Sequence, residues 1–584
     1  MILSNPTATK FEEAMMKKSI VLSILSLLFI QCISVKQKVK PAPKPPATET
    51  AQVVTATKNT ETPKLVVGIV VDQMRYDYLT RFKNKFGEDG FLRMLQGGFN
   101  CKNNHYNYVP TYTGPGHASV YTGTTPKNHG IIANYWYDKY TKEGAYCASD
   151  NRYEAVGTRT PKGKRAGKMS PHRMQTSTVT DQLRLATQQR GKVIGIAIKD
   201  RGAILPAGHA ANGAYWFHGG KEGNWITSTY YRTELPAWVQ EFNDADHAEK
   251  YLTTWDTLYD INTYTESDVD ASPYEGTFTG LEKATFPYEL NALKNLNGGF
   301  DIIKSTAFGN SLTADFAIAA IQGENLGKGD ETDFLALSFS STDYVGHKFG
   351  VNSKEIQDTY LRLDQDIARL LATLDAEVGE GNYTVFFTAD HAEVHVPSYL
   401  EDLKIPAGYF NKTPFQKHLE DFLKTTYGSD SLIENISNEQ IFLNHAEIKR
   451  LKLSATAVEN KLKNEVLQYN QIKEVYTRNT LTTSEFTQGM GAALQKGFNQ
   501  KRSGDLCYVL DIATIPYSRT GSTHGSGFTY DTHVPLLFYG NGIQQGETLQ
   551  RTEITDIAPT ISALLEIAFP NAATGNPIEM VLKN

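Results

Sequence analysis

The chain has 584 residues, 40% hydrophobic and 21% charged, a composition that suits a folded globular protein with one large core or a few modest ones. Its formal net charge of -6 argues against a nucleic-acid partner, which calls for a basic face. An anionic substrate would need local positive charge, from metal ions or from placed Lys and Arg side chains.

In chain order, residues 1–32 read as an export signal. Lys17 and Lys18 precede an apolar run from Ile20 to Ile30 that is too short for an ordinary transmembrane helix. The residues before Met15 are polar for a signal, so the expected start is Met15 or Met16. Cys32 follows the apolar run and could carry a lipid anchor. Gln31 is bulkier than the small residue usual before such a cysteine, so anchoring and plain cleavage both stay open. The mature protein is expected to be periplasmic, tethered to the outer membrane or cell surface, or secreted. Residues 33–62, rich in Pro, Lys and Thr, are expected as a flexible linker. In an oxidising compartment Cys101 and Cys147 could pair and leave Cys507 free.

Residues 63–584 are expected to form a single domain. Leu65–Val71 is a continuous β-branched run, the pattern of a strand covered on both faces, and it ends at Asp72. Next comes "YVPTYTGPGHASVYTG", in which Thr113 stands at the start of a short helix, where backbone N–H groups favour anions. "TSTVTDQLRLATQQRG" has hydroxyl caps at its start and stops at Gly191, so a helix is expected there. "GKVIGIAIKDR" is a second strand, running into Lys199 and Arg201. "DFLALSFSSTD" is a third, running into Asp343. The segment after it carries Ile356, Tyr360, Leu363, Ile367, Leu370 and Leu371 in one helical stripe. "YTVFFTADHAE" is a fourth strand and ends at Asp390 and His391. "VPLLFYG", near residue 537, is a fifth. Strands alternating with helices predict an α/β fold: a mainly parallel sheet with helices on both faces. The long stretches at about 205–304 and 395–499 are expected as insertions capping the sheet.

Ligands of such sheets gather beyond the carboxyl ends of the strands, and Asp72, Asp343 and Asp390 would all lie there. Each alone reads as an ordinary helix cap. Three in one chain, two with a histidine attached, read better as metal ligands. Asp343 and His347, one helical turn apart, can face one point. His524, in a Gly/Ser-rich loop, could complete that zinc site, and Asp72 could join Asp390 and His391 in another. Two zinc ions in such a pair clamp the attacking and leaving oxygens of a phosphoryl displacement, and a metal-bound Thr113 hydroxyl would be the nucleophile.

The ordered set "TYTGPGHASVYTG", "TPKNHGI", "DYVGHKFG", "TADHAE" and "GSTHGS" resembles the alkaline phosphatase superfamily, nearest to its secreted, phosphate-irrepressible (PafA-type) monoesterases with a threonine nucleophile. The resemblance spans nearly the whole folded chain. It implies an alkaline-phosphatase-like fold and two Zn2+ per chain. One ion would be held by Asp343, His347 and His524, the other by Asp72, Asp390, His391 and Thr113. Asn134, Lys199 and Arg201 match residues that contact the phosphoryl oxygens. Arg and Lys aimed there would favour a monoester dianion over a diester. His117, His129, Asp77 and Glu393 are expected in supporting roles. Ser338 stands where better-known relatives have a magnesium-binding glutamate. The expected protein is thus a monomeric zinc phosphomonoesterase acting through a phosphothreonine, with phosphate monoesters as substrates and inorganic phosphate as product. The rivals are a phosphodiesterase or nucleotide pyrophosphatase on the same scaffold, and a tethered binding protein with an inert site. A sulfatase lacks its Cys or Ser at the nucleophile position.

Overall fold

The computed structural model describes residues 62–583. The expected export signal, the Cys32 anchor and nearly all of the linker lie outside the described residues.

The centre is a ten-stranded sheet. In chain order its strands are β1 (Leu65–Val71), β2 (Phe99–His105), β3 (Ala155–Val156), β4 (Val193–Ala197), β5 (Gly213–His218), β6 (Asn224–Ser228), β7 (Asp333–Phe339), β8 (Tyr383–Thr388), β9 (Leu536–Gly540) and β10 (Gly546–Glu553). Across the sheet the order is β10-β2-β9-β8-β1-β7-β4-β5-β6-β3. The middle, β8-β1-β7-β4-β5, is parallel throughout. β1, β4, β7 and β8 are buried at every position, as runs without polar alternation require of strands covered on both faces. Side chains of β5 alternate between two cores. Ala214 and Trp216 enter one with Ala203, Ile204 and Ile226, and Tyr215 and Phe217 enter the other, larger one.

Four helices position the rim residues or cover the sheet beside them: α1 (Thr113–Thr122), α2 (Asp200–Ala207), α3 (Ser341–Phe349) and α4 (Lys354–Leu374). α4 buries the expected stripe of Ile356, Tyr360, Leu363, Ile367, Leu370 and Leu371 and is capped by the Ser353 side chain on the Ile356 N–H.

Three details depart from the sequence reading. The strand at 537, β9, runs antiparallel to β8. The segment 205–304 begins by adding β5 and β6 to the main sheet before it turns irregular, with Trp255, Tyr264 and Phe278 buried. The later segment reaches beyond 499: Leu506–Leu510 completes a four-stranded sheet with Ile433–Ser437, Gln440–Leu443 and Ile472–Thr477. That sheet has its own core around Phe415, Leu419, Leu462 and Leu506. Cys101 and Cys147 are not paired. They belong to separate core clusters, and both are free and buried, as is Cys507.

Candidate active site and metal centre

The parallel strands deliver their charges to one rim. β1 runs into Asp72, β4 into Lys199, β7 into α3 with Asp343 and His347, and β8 into Asp390 and His391. Because β9 runs the other way, the loop before it reaches this rim, and that loop carries His524. α1 begins at Thr113. It lies flush on the β8 end, since a Cβ on Gly116 would come within 2.3 Å of the Asp390 carbonyl oxygen.

Asp343, His347 and His524 offer ligand atoms all within 4.8 Å of one another, and so do Asp72, Asp343 and His391. Asp343 therefore stands between the two expected groups. Asp390 adjoins the second, with Oδ2 at 3.5 Å from His391 Nε2. Each histidine is oriented by its own main-chain contact. The Nδ1 atoms of His347, His524 and His391 face the carbonyls of Ser522 (2.7 Å), Thr111 (2.7 Å) and Ala392 (3.1 Å). An Nδ1–H donated to a carbonyl leaves Nε2 as the free lone pair, the arrangement of metal-ligating imidazoles. Asp72 Oδ1, Asp343 Oδ1, Asp390 Oδ2 and His391 Nε2 are buried with no hydrogen-bond partner. Unpaired buried acceptors of this kind are costly, and a divalent cation satisfies several at once. A mixed imidazole and carboxylate set fits zinc.

Lys199 stands on the same rim, between two of the acids. Its ammonium lies 2.7 Å from Asp72 Oδ2 and 2.6 Å from Asp343 Oδ2, because a buried ammonium goes where carboxylates neutralise it. Burial drives the Asp72 carboxyl well above its ordinary value, aided by Asp343 and Asp390. Burial acts the same way on Asp343 but loses to His347, Lys199 and His524, which hold it well below. Burial lowers His391 to about 4.

Thr113 is 1% exposed. Arg201 Nη2 lies 3.4 Å from its Oγ1, and Arg201 Nη1 lies 3.3 Å from the Tyr146 hydroxyl. Asn134 Oδ1 accepts the Gly114 N–H at 2.7 Å, which frees its amide N–H groups as donors. His117 faces the Thr113 carbonyl through Nδ1 (2.9 Å) and Ser338 Oγ through Nε2 (2.8 Å). His129 meets Ser119 Oγ at 2.9 Å. Asp77 accepts from Arg75, and buried Glu393 accepts from Gln73 and Tyr78. Three supporting residues escaped the sequence reading. Tyr146 donates to Asp200 and touches Arg201. Gln73, at φ +66, donates its N–H to Asp390 Oδ1. Asp531 Oδ2 accepts from the Gly525 and Ser526 N–H groups and so holds the His524 loop. The left-handed Gln73 stands directly after the Asp72 signal. Asp531 carries no local signal, because its partners are set by loop closure.

Residues 66–533 match the family model of type I phosphodiesterases / nucleotide pyrophosphatases. The chain is 45% identical to a protein of Myroides odoratus named a calcium-transporting ATPase, over 91% of this chain and 96% of that one. It is 44% identical to the alkaline phosphatase PafA of Elizabethkingia meningoseptica, over 89% of this chain and 94% of the relative. A crystal structure of wild-type PafA superposes with a TM-score of 0.86 at 43% identity, covering 90% of this chain and 99% of that one.

Proposed function

The chain belongs to the type I phosphodiesterase / nucleotide pyrophosphatase family of the alkaline phosphatase superfamily, and we propose that within it this chain is an alkaline phosphatase that cleaves phosphate monoesters through a phosphothreonine on Thr113. Its relatives named as alkaline phosphatases support the activity. The observation that carries the site assignment is the set of three histidines, each fixed through Nδ1 on a main-chain carbonyl, around buried carboxylate oxygens with no hydrogen-bond partner.

In this reading one zinc ion is held by Asp343, His347 and His524, and the other by Asp72, Asp390, His391 and Thr113. When bound, the two ions supply Lewis-acid stabilisation of the attacking and leaving oxygens. Thr113 Oγ1, its proton lost to solvent, forms a bond to phosphorus as the bond to the leaving oxygen breaks, and that oxygen takes a proton from water. Water then cleaves the phosphothreonine and releases inorganic phosphate. Arg201, already beside Oγ1, and the free Asn134 amide meet the equatorial oxygens, where negative charge concentrates. Lys199 shares Asp72 and Asp343 with the cations, so its contact to phosphate depends on their binding. The family model's name favours a diesterase as the second reading. Wild-type turnover of diesters above that of matched monoesters would decide for it. Among the described residues no helix is long and apolar enough to cross a membrane.

We place the enzyme outside the cytoplasm on the strength of the Lys17–Ile30 segment and Cys32. Mass analysis of the mature N-terminus checks this and distinguishes a lipid on Cys32 from simple cleavage. Thr113→Ala tests the mechanism: kcat for an aryl phosphate should fall by about 10³-fold or more with zinc content unchanged. Near-normal turnover would remove Thr113 from the reaction.

A further inference from the structure

Glu439 lies far from the catalytic residues in sequence, in the segment 408–515 that folds a sheet of its own. We propose that the turn Asn438–Glu439 is a positioning element that holds the Thr113 and Asn134 segments in register. The proposal rests on the Thr113 reading above and goes beyond it by adding Glu439 and Asn438 to the machinery. The Tyr112 hydroxyl, one residue before Thr113, donates to Glu439 Oε2 at 2.9 Å. Asn438 Nδ2 donates to the carbonyl of Tyr135, one residue after Asn134, at 2.7 Å. The Gly114 N–H to Asn134 bond closes the circuit. Three hydrogen bonds thus tie three remote segments into one ring, and each catalytic segment is gripped at a residue adjacent to its proposed catalytic side chain. Tyr112 also meets the His524 ring edge-on, with centroids 5.8 Å apart.

The turn places Glu439 where a residue other than glycine sits at a cost. Asn438 and Glu439 join Ile433–Ser437 to Gln440–Leu443 as a two-residue hairpin, with φ of +52° and +55°. Such a turn favours Asn-Gly, because glycine takes positive φ without steric cost. Asn438 obeys the rule and Glu439 breaks it. A strained residue persists where the surroundings or the function hold it, and the surroundings here are firm. Tyr508 N–H donates to the Glu439 carbonyl at 2.9 Å. Glu434 pairs with Lys142 at 2.5 Å, and Lys139 reaches the Ser503 carbonyl at 2.9 Å. The side chains of the hairpin tip reach across to the catalytic segments at Tyr112 and Tyr135. Orientation of a nucleophile is worth orders of magnitude in rate, and one lost hydrogen bond in this ring should cost about tenfold.

The test uses the full zinc-loaded chain and an aryl phosphate, with Glu439→Gly, Glu439→Gln and Tyr112→Phe. Glu439→Gly relieves the backbone strain, so it should melt no lower than wild type and keep its zinc. Its kcat should nevertheless fall about tenfold with little change in KM. Glu439→Gln keeps an acceptor for Tyr112 and should hold kcat within about threefold. The Glu439→Gly/Tyr112→Phe pair should be no slower than the slower single variant. Hydrogen exchange of the Gly114 amide, which needs no activity, should speed up in Glu439→Gly. Wild-type kcat and unchanged Gly114 exchange in Glu439→Gly would overturn the proposal. So would a loss of rate that tracks lost zinc or a lower melting temperature, or a Glu439→Gln variant as slow as Glu439→Gly. A wild-type chain inactive on monoesters would overturn the phosphatase reading instead, and the exchange measurement would still decide the role of the hairpin.

Discussion

Two clusters of buried carboxylates, one on the catalytic rim and one at the start of α4, differ in what surrounds them. On the catalytic rim, burial raises Asp343 and Asp390, yet both are held below the ordinary carboxylate range. His347, Lys199 and His524 do this for Asp343, and His391, His117 and Lys199 for Asp390. The second cluster lies where the irregular segment 254–290 packs on the start of α4. There the Tyr288 hydroxyl donates to Glu355, and one oxygen each of Glu275 and Glu355 is buried without a partner. Burial pushes Glu355 up to about 8, with Asp270 and Asp358 adding to it. Burial pushes Glu275 up to about 11, with Glu355, Asp270 and Asp268 adding to it and Lys354 opposing weakly. Burial is common to both clusters, and imidazoles and a buried ammonium belong to the first alone. Countercharge holds Asp343 and Asp390 ionised against burial, whereas Asp72, which touches the same Lys199, is still raised by burial and its two acidic neighbours.

The contrast can be broken from either side. The largest effect should come from His524→Ala, which removes a proposed ligand from the first cluster. Zinc content by elemental analysis should fall, and kcat/KM for an aryl phosphate should drop by about 10²–10³-fold. An unchanged zinc content would take His524 out of the ligand set.

A smaller but diagnostic effect should come from Lys199→Met. In chelator it strands Asp72 and Asp343 without their cation and should cost about 3–5 kcal/mol in denaturant unfolding. With zinc present the same change should cost markedly less, since the metal then neutralises the acids. Equal losses in both conditions would show that Lys199 and metal do not share these carboxylates.

The second cluster tests the contrast through pH alone, with no effect expected on activity. Glu355 binds its proton more tightly folded than unfolded, so its contribution to stability is full below about pH 4.5 and is lost as pH rises towards about 8. The slope is at most about 1.4 kcal/mol per pH unit. Glu355→Gln, which cannot titrate, should flatten stability across that window. A pH profile that matches wild type would mean that Glu355 is ionised in the folded protein.

Much of the catalytic rim was legible because its information is local. A continuous apolar run that stops at or just before an acid states both the strand and where its end points, as at Val71–Asp72 and Phe339–Asp343. The i and i+4 spacing of Asp343 and His347 needs only a helix to bring them together. What escaped depends on distant chain. The direction of β9 follows from the crossover that precedes it, not from "VPLLFYG", yet that direction is what turns the loop of His524 towards the site. Lys199 could be placed at a strand end but not assigned to Asp72 and Asp343, since a long flexible side chain is settled by the charges around it. Whether Cys101 and Cys147 pair could not be read from composition and compartment, which say nothing of which core each thiol enters. The grip of Glu439 on Tyr112 joins residues 327 apart in sequence, and no pattern at either end announces it.

The central claim is that Thr113 carries the phosphoryl group between the two chemical steps. The direct measurement is to quench the zinc-loaded enzyme in acid during turnover of a phosphate monoester and map the modified peptide by mass spectrometry. The account predicts one phosphoryl group on Thr113, absent in Thr113→Ala. Turnover with no phosphoryl-enzyme at any quench time, together with inversion at a chiral phosphate, would contradict it, because a direct attack by water inverts once whereas two displacements retain.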